Sequence, residues 1–165
     1  MSSILKVNQI QLSNGSTPTA KDLGLNTTGN VLQVVQATTA TSYSNITSTS
    51  FVELSTDLRC TITPKFANSQ LLVMFHSMMY KSGGSNPWGV ATVYRDSSDI
   101  FGGSYSPGYT QVVGGNSGDI HSGKKIVSAN NTNATTFSIY VRAGSGYTMH
   151  MESSDRHVIV MEIAG

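Results

Sequence analysis

From Val31 to the last residue, short segments rich in apolar and β-branched side chains alternate with clusters of turn-forming residues. This spacing is typical of an all-β domain. Pro64 ends one segment, and Ser82-Gly83-Gly84 and Gly144-Ser145-Gly146 mark turns. We therefore predict a jelly-roll-like antiparallel β-sandwich over residues 31–165. Its predicted strands are residues 31–37, 50–54, 57–63, 70–80, 88–95, 124–129, 135–143, 147–152 and 157–163.

Residues 1–30 differ from the rest and are predicted to form an extended N-terminal arm. Asn14-Gly15 predicts a turn, and Thr19 followed by Asp22 predicts an N-cap for a short helix that Gly24 closes. The hydrophobic residues of the arm have no partner strand within it, so we expect them to anchor the domain to a neighbouring subunit or a carrier protein. The alternative is that the arm folds back on its own sandwich. The predicted anchoring residues are Ile4, Leu5, Val7, Ile10 and Leu12.

Two predicted strands, 70–80 and 157–163, are apolar on both faces. A strand in an isolated two-layer sandwich exposes one face to water and normally carries polar residues there. We therefore predict that a symmetric subunit interface covers the second face, the alternative being loops of the same chain. The predicted interface residues are Met74, Met78, Ile159, Met161 and Ile163.

Charge and composition exclude several classes of partner. Only 12% of the residues are charged and the formal net charge is +1, so neither nucleic acid nor an anionic membrane surface is expected as a partner. The first residues do not show the basic start followed by an apolar run that predicts a signal peptide. No stretch approaches the roughly 20 apolar residues of a spanning helix. We expect synthesis in a cytoplasm without membrane insertion. Cys60 is the only cysteine and is predicted to be buried rather than reactive.

No motif predicts catalysis, a cofactor or a metal. Residues 118–125 resemble a phosphate-binding loop, but Lys125 stands where Ser or Thr would hold magnesium, and the segment after it is strand-like. No nucleophile elbow is present, and the few carboxylate pairs are explained by turns. The four histidines lack metal-ligand spacing, although His150 or His157 could meet its own copies at a trimer axis.

Residues 99–124 are glycine-rich and weakly periodic, which predicts a long loop or loose hairpins at one end of the sandwich. Its aromatic and polar side chains, with Trp88 and Asn86 nearby, are the combination that a sugar ring needs. The alternative is that Trp88 fills the core and the tyrosines only fix the loops. The predicted receptor or glycan residues are Tyr105, Tyr109, Asn116 and Asp119.

Several framework segments together resemble small virion structural proteins of marine bacteriophages, of the tail-fibre, fibre-knob or head-decoration type. The segments are SILKVNQIQ, TPTAKDLGLN, NVLQVVQATT, TSTSF, TITP, NSQLLVMF, VYRDS and IVMEIAG. They follow one another along nearly the whole chain, and the likeness is weakest from residue 99 to 134. The resemblance implies a trimeric jelly roll or knob, anchored to the particle by its N-terminal segment and exposing its distal loops.

The expected function is therefore that of a phage virion structural protein. It would be a homotrimeric tail-fibre or knob component that binds a tail adaptor, fibre shaft or capsid protein through residues 1–30. Its loops would serve adsorption to the host surface, with a surface glycan as the candidate receptor. Two alternatives are a capsid decoration protein, such as a head fibre or cement protein, and a carbohydrate-binding receptor module. A depolymerase that degrades glycans is a third.

Overall fold

The computed structural model describes residues 9–19, 22–23, 28–40, 43–83, 87–103, 108–111, 117–151 and 156–165, with the backbone alone at 43–44, 108–111, 117 and 151. These residues form strands and no α-helix, which confirms the predicted β-sandwich. A short 3-10 turn, Thr56–Leu58, is capped by the side chain of Ser55. The strands are β1 (Val31–Thr39), β2 (Tyr43–Ile46), β3 (Val52–Glu53), β4 (Cys60–Ile62), β5 (Gln70–Ser82), β6 (Trp88–Arg95), β7 (Ser98–Asp99), β8 (Gly108–Gln111), β9 (Ser117–Ser128), β10 (Thr135–Ala143), β11 (Thr148–Met151) and β12 (Arg156–Ile163).

Two antiparallel sheets of six strands each make up the domain. In the first sheet, β5 is central: it pairs with β9 along one side, and with β12 and then β11 along the other. β1 and β2 extend this sheet beyond β12 and β11. In the second sheet, β10 and β6 are central, with β3 and β4 outside β10 and with β7 and β8 outside β6.

The hydrophobic core lies between the sheets because alternate residues of the long strands point inward. Leu71, Val73 and Phe75 of β5 face the core from the first sheet. Phe137 and Ile139 of β10 face it from the second. The inward-facing side chains of both sheets are nearly inaccessible to water, which leaves one face of each sheet directed outward.

Most of the predicted strands are present, and those at 88–95 and 135–143 have the predicted bounds. The prediction of a long loop or loose hairpins over 99–124 is wrong for residues 117–124, because β9 begins at Ser117 and pairs with β5 without a break. The phosphate-loop-like residues 118–125 are therefore extended strand and not a turn. β2, β7 and β8 were not predicted, because they are short and lie in segments rich in Ser, Gly, Asn or Asp.

The turn predicted in the arm is confirmed, and the capping bonds predicted at Thr19 and Asp22 are present, while the helix that they would begin extends into residues outside those described. Asn14-Gly15 forms a turn, with Gly15 at a φ of 80° and its N–H donating to Leu12 over 2.8 Å. Thr19 and Asp22 cap each other: the Thr19 N–H donates to Asp22 over 2.9 Å, and the Asp22 N–H donates to the Thr19 hydroxyl over 3.3 Å. Where the chain enters the sandwich, the Gly29 N–H donates to the Ala164 carbonyl over 2.8 Å. Gly24 lies outside the described residues.

Candidate functional site

The outward side of the first sheet carries a continuous set of apolar side chains. Strand register places Met74 of β5 beside Ile159 of β12, and Leu72 beside Met161. On the other side of β5, Met78 lies opposite Ile120 of β9, and Leu72 opposite Ile126. We call this surface the apolar face, and it consists of Val34, Leu72, Met74, Met78, Ile120, Ile126, Ile159, Met161 and Ile163.

The apolar face is open to water in the described part of the chain. Val34, Ile120 and Ile126 expose 52%, 56% and 57% of their surface, and Met78 exposes 37%. The remaining members are half-buried by their neighbours in the sheet. Large hydrophobic residues scattered singly over a surface need no explanation, but a contiguous group across adjacent strands marks an interaction site. All five predicted interface residues belong to this one face.

Two histidines lie in the middle of the apolar face. His76 and His157 are directly paired in register, and their rings stack with centroids 5.3 Å apart and planes 13° apart. Ser122 and Lys124 of β9 lie on the same side of the sheet, opposite His76 and Met74. The face is thus apolar with a short polar row across it.

His150, also on the outward side of the first sheet, lies toward its β11 end. Its Nε2 is 2.9 Å from the Ser82 hydroxyl, and its ring centroid is 6.1 Å from that of Tyr80. Within the described residues, no group of three or more His, Cys, Asp or Glu side chains could hold a metal ion. The proposed meeting of His150 or His157 with its own copies needs a trimer and stays a prediction.

Beneath the apolar face, the inward side of β5 ends on a charged residue. Lys81 is buried, and its Nζ lies 3.5 Å from Asp119 Oδ2. Burial lowers the pKa of the Lys81 ammonium, and the Asp119 carboxylate offsets only part of that effect. Asp119, predicted as a receptor-loop residue, therefore lies in β9 opposite Met79 and forms an ion pair within the sandwich.

The other predicted receptor residues are only partly within the described chain. Tyr105 and Asn116 lie outside it, as does Asn86. Tyr109 belongs to β8, where its backbone is paired with that of Val90, and its side chain is not described. Trp88 is half-buried rather than a core residue, and the Arg142 guanidinium carbon lies 5.4 Å from the centre of its ring.

The arm presents apolar side chains to water where it is described. Ile10 exposes 53% of its surface and Leu12 exposes 36%, so neither packs against the sandwich to a depth that would bury it. Leu23, after the Thr19 cap, is also exposed. The other predicted anchoring residues, Ile4, Leu5 and Val7, lie outside the described residues.

Cys60 is buried in the core, as predicted. Burial raises the pKa of its thiol to about 11, although hydrogen bonds from the Val160 and Ala37 backbone oppose the shift. A thiol in this environment stays protonated at neutral pH and is a weak nucleophile.

No protein-family model matches the chain, and no curated protein matches it at a significant level. In the described part of the chain, no helix has the length and apolar character needed to cross a membrane. Function is therefore inferred from the residues and their geometry.

Proposed function

We propose that this protein is a structural component of a bacteriophage virion, a homotrimeric tail-fibre or knob component without a catalytic step. The sandwich would associate through the apolar face, and residues 1–30 would attach the trimer to a second virion protein. The apolar face is the observation that carries the proposal, because four neighbouring strands place large hydrophobic side chains on one side and those of β1, β5 and β9 include exposed ones. The phage context is supported by the resemblance of the framework segments.

Burial of the apolar face favours association, because removing apolar surface from water contributes about 25 cal/mol per Å². This gain is opposed by the loss of translational and rotational freedom, which costs about 4–15 kcal/mol. Lys124 is the only charged side chain within the polar row, so little charge has to be desolvated at the centre of such an interface.

The strand order supports the jelly-roll form of the proposal. In the first sheet β1, β12, β5 and β9 are neighbours, and in the second sheet β4, β10, β6 and β8 are neighbours. The chain crosses between sheets from β4 to β5, β5 to β6, β8 to β9 and β9 to β10, as in an eight-stranded jelly roll. The number of three subunits is taken from the resemblance.

Sedimentation equilibrium tests the association. We expect a mass of three times 17.5 kDa for the wild type at micromolar concentration. Ile126→Lys places an ammonium group in the apolar face and should shift the mass toward the monomer, because burying the charge costs several kcal/mol. Val52→Lys is the control, since Val52 is an exposed hydrophobic residue of the second sheet. A wild-type monomer, or equal dissociation of both variants, would contradict the proposal.

A further inference from the structure

The outward side of the second sheet differs chemically from the apolar face. It carries Tyr94 and Thr92 of β6, with Tyr140 and Ser138 of β10 beside them. The Tyr94 and Tyr140 rings stack with centroids 4.0 Å apart and planes 23° apart. Tyrosines on an open sheet surface combine flat apolar faces with hydroxyl groups that can donate and accept hydrogen bonds.

Each of the stacked tyrosines lines a depression. The depression at Tyr94 has a volume of about 590 Å³, and its other lining residues are Thr49, Ser50, Phe51, Asp99, Gly103 and Arg142. The second, of about 190 Å³, is lined by Tyr140, Thr136, Ser138, Glu53, Arg59 and Asp96. We call the two together the tyrosine groove. The larger depression falls within the 300–1,000 Å³ range of small-molecule sites.

Arg142 is held at the base of the larger depression by aromatic rings. Its guanidinium carbon lies 5.2 Å from the centre of the Phe51 ring and 5.4 Å from that of Trp88. Phe51 is in turn 6.2 Å from Tyr94 between ring centroids. The Ala143 N–H donates to the Ser48 carbonyl over 2.8 Å, which fixes the segment carrying Phe51 to β10. The positions of the Arg142 guanidinium, which is the hydrogen-bond donor, and of the aromatic rings are therefore set before any ligand binds.

Asp99 supplies an acceptor on the other side of this depression. Its Oδ1 accepts from the Thr92 hydroxyl over 2.6 Å and from the Phe101 N–H over 3.0 Å. In the described part of the chain, these two bonds orient the carboxylate while Oδ2 makes no hydrogen bond. Burial raises the pKa of the Tyr94 phenol, and the nearby Asp99 carboxylate adds to the effect, so Tyr94 stays a protonated donor.

The charges of the groove are nearly balanced, which selects against a polyanion. Arg142 faces Asp99 across the larger depression. Arg59 and Glu53 form a two-bond pair in the smaller one, with distances of 2.8 and 2.7 Å. A bound peptide strand would need backbone groups at a sheet edge, whereas this groove lies on a sheet face and offers side-chain hydroxyls, a carboxylate and a guanidinium. That set of groups matches a ligand with many hydroxyls and an apolar ring face.

We propose that the tyrosine groove binds a neutral saccharide, with a sugar ring stacked on Tyr94 and its hydroxyls bonded to Asp99 and Arg142. The site goes beyond the assembly role and stands whether or not the apolar face is an interface. It also differs from the predicted loop tyrosines, because the groups proposed to bind the sugar, Tyr94, Asp99 and Arg142, belong to β6, β7 and β10.

The test uses the full-length protein on an array of neutral and anionic oligosaccharides, followed by calorimetric titration with the strongest soluble neutral ligand. We expect Tyr94→Ala to weaken binding at least about tenfold, because the stacking surface is lost. Tyr94→Phe retains the ring and should bind within a few fold of the wild type. Asp99→Asn should also weaken binding, since it changes an acceptor into a donor.

Phe66→Ala is the matched control, because Phe66 is an exposed aromatic residue outside the groove. Sedimentation of each variant separates loss of the site from loss of association, and Ile126→Lys should still bind the soluble sugar. The inference is overturned if no neutral sugar binds the wild type, if Tyr94→Ala and Phe66→Ala bind equally well, or if only anionic sugars or peptides compete for the groove.

Discussion

At the residue scale, Glu162 shows how a charged side chain is accommodated inside this sandwich. It faces inward at the end of β12 and is fully buried. Its Oε1 accepts from the backbone N–H of Lys65 over 2.8 Å and of Phe66 over 3.2 Å, while the Gln33 amide donates to Oε2. The carboxylate therefore fixes the connection between β4 and β5 to the end of β12. Burial acts to raise its pKa, but the nearby Ser69 hydroxyl and the hydrogen bonds from Gln33 and the two backbone amides outweigh burial and hold the pKa below its ordinary value.

Glu162→Gln should destabilise the fold by about 2 kcal/mol at pH 7, because one acceptor becomes a donor facing the Gln33 amide. A lowered pKa in the folded state means that the carboxylate stabilises the protein above its unfolded pKa of about 4.3. That contribution is lost as the pH falls through the pKa of Glu162 in the folded state. The difference between wild type and variant in urea unfolding should therefore be largest near neutral pH and shrink below about pH 4.

Glu53→Gln is the control variant, and its urea unfolding is measured at the same protein concentration as that of Glu162→Gln. Glu53 pairs with Arg59 at the surface, so its substitution should cost less than about 1 kcal/mol. Equal losses for the two variants, or a Glu162 difference that does not depend on pH, would show that Glu162 does not anchor this connection.

At the element scale, β9 marks the limit of what the sequence predicts. The alternating apolar residues of β5, β6, β10 and β12 predict those strands well, because the inward positions in the middle of each strand are apolar. The first half of β9 contains Gly118, Asp119 and Ser122, which have low strand propensity, and Gly123 follows. Its strand structure comes from pairing with β5 over twelve consecutive residues, a tertiary contribution that local propensity does not contain.

The tyrosine groove was not predicted either, because it too depends on contacts between strands that local propensity does not contain. Tyr94 and Tyr140 fit any strand pattern, and only the register of β6 with β10 brings their rings together. Phe51, Asp99 and Arg142 come from separate parts of the chain. The apolar face, in contrast, was predictable in β5 and β12 because both faces of those strands are apolar, whereas its β9 members followed only from the structure.

The turn between β10 and β11 provides a test at the same scale. An ideal Cβ on Gly144 would lie 2.5 Å from Trp88 Nε1 and 2.7 Å from Tyr147 Cδ2, so Gly144→Ala should displace the Trp88 ring. We expect a loss of stability of about 1–3 kcal/mol and a shift in the fluorescence of Trp88, the only tryptophan. Gly146→Ala is the control: Gly146 has a φ of 78° but open space around it, so it should cost about 1 kcal/mol and leave the emission unchanged. Unchanged emission in Gly144→Ala would mean that the turn moves instead of Trp88.

At the scale of the whole molecule, the two sheets present chemically different surfaces. The first sheet exposes the apolar face, and the second exposes the tyrosine groove with its balanced charges. Association through the first sheet would leave the groove of every subunit directed away from the interface. Weak saccharide binding would then gain from multivalency, since each further contact is made at a high effective concentration.

Among the described residues of the arm, Gly29 and Asn30 make the backbone hydrogen bonds to the sandwich. The first backbone hydrogen bond that joins it to the sandwich, within the described residues, is from Gly29 to Ala164, and Ile10, Leu12 and Leu23 remain exposed before it. Removing residues 1–25 should therefore change the free energy of unfolding by less than about 0.5 kcal/mol. The truncated protein should still sediment as the wild type does.

Attachment to the particle should fail in the same truncated protein, because the exposed hydrophobic residues of the arm are what the carrier would bury. The test complements a phage that lacks the gene with the full-length or the truncated chain. The copy number of the protein is then measured in purified particles. The control is Ile10→Leu, which keeps the hydrophobic surface and should be incorporated normally. Incorporation of the truncated chain at full copy number would exclude the arm as the anchor.

Gold labelling of the full-length chain should mark the tail, and label over the capsid would instead identify a decoration protein.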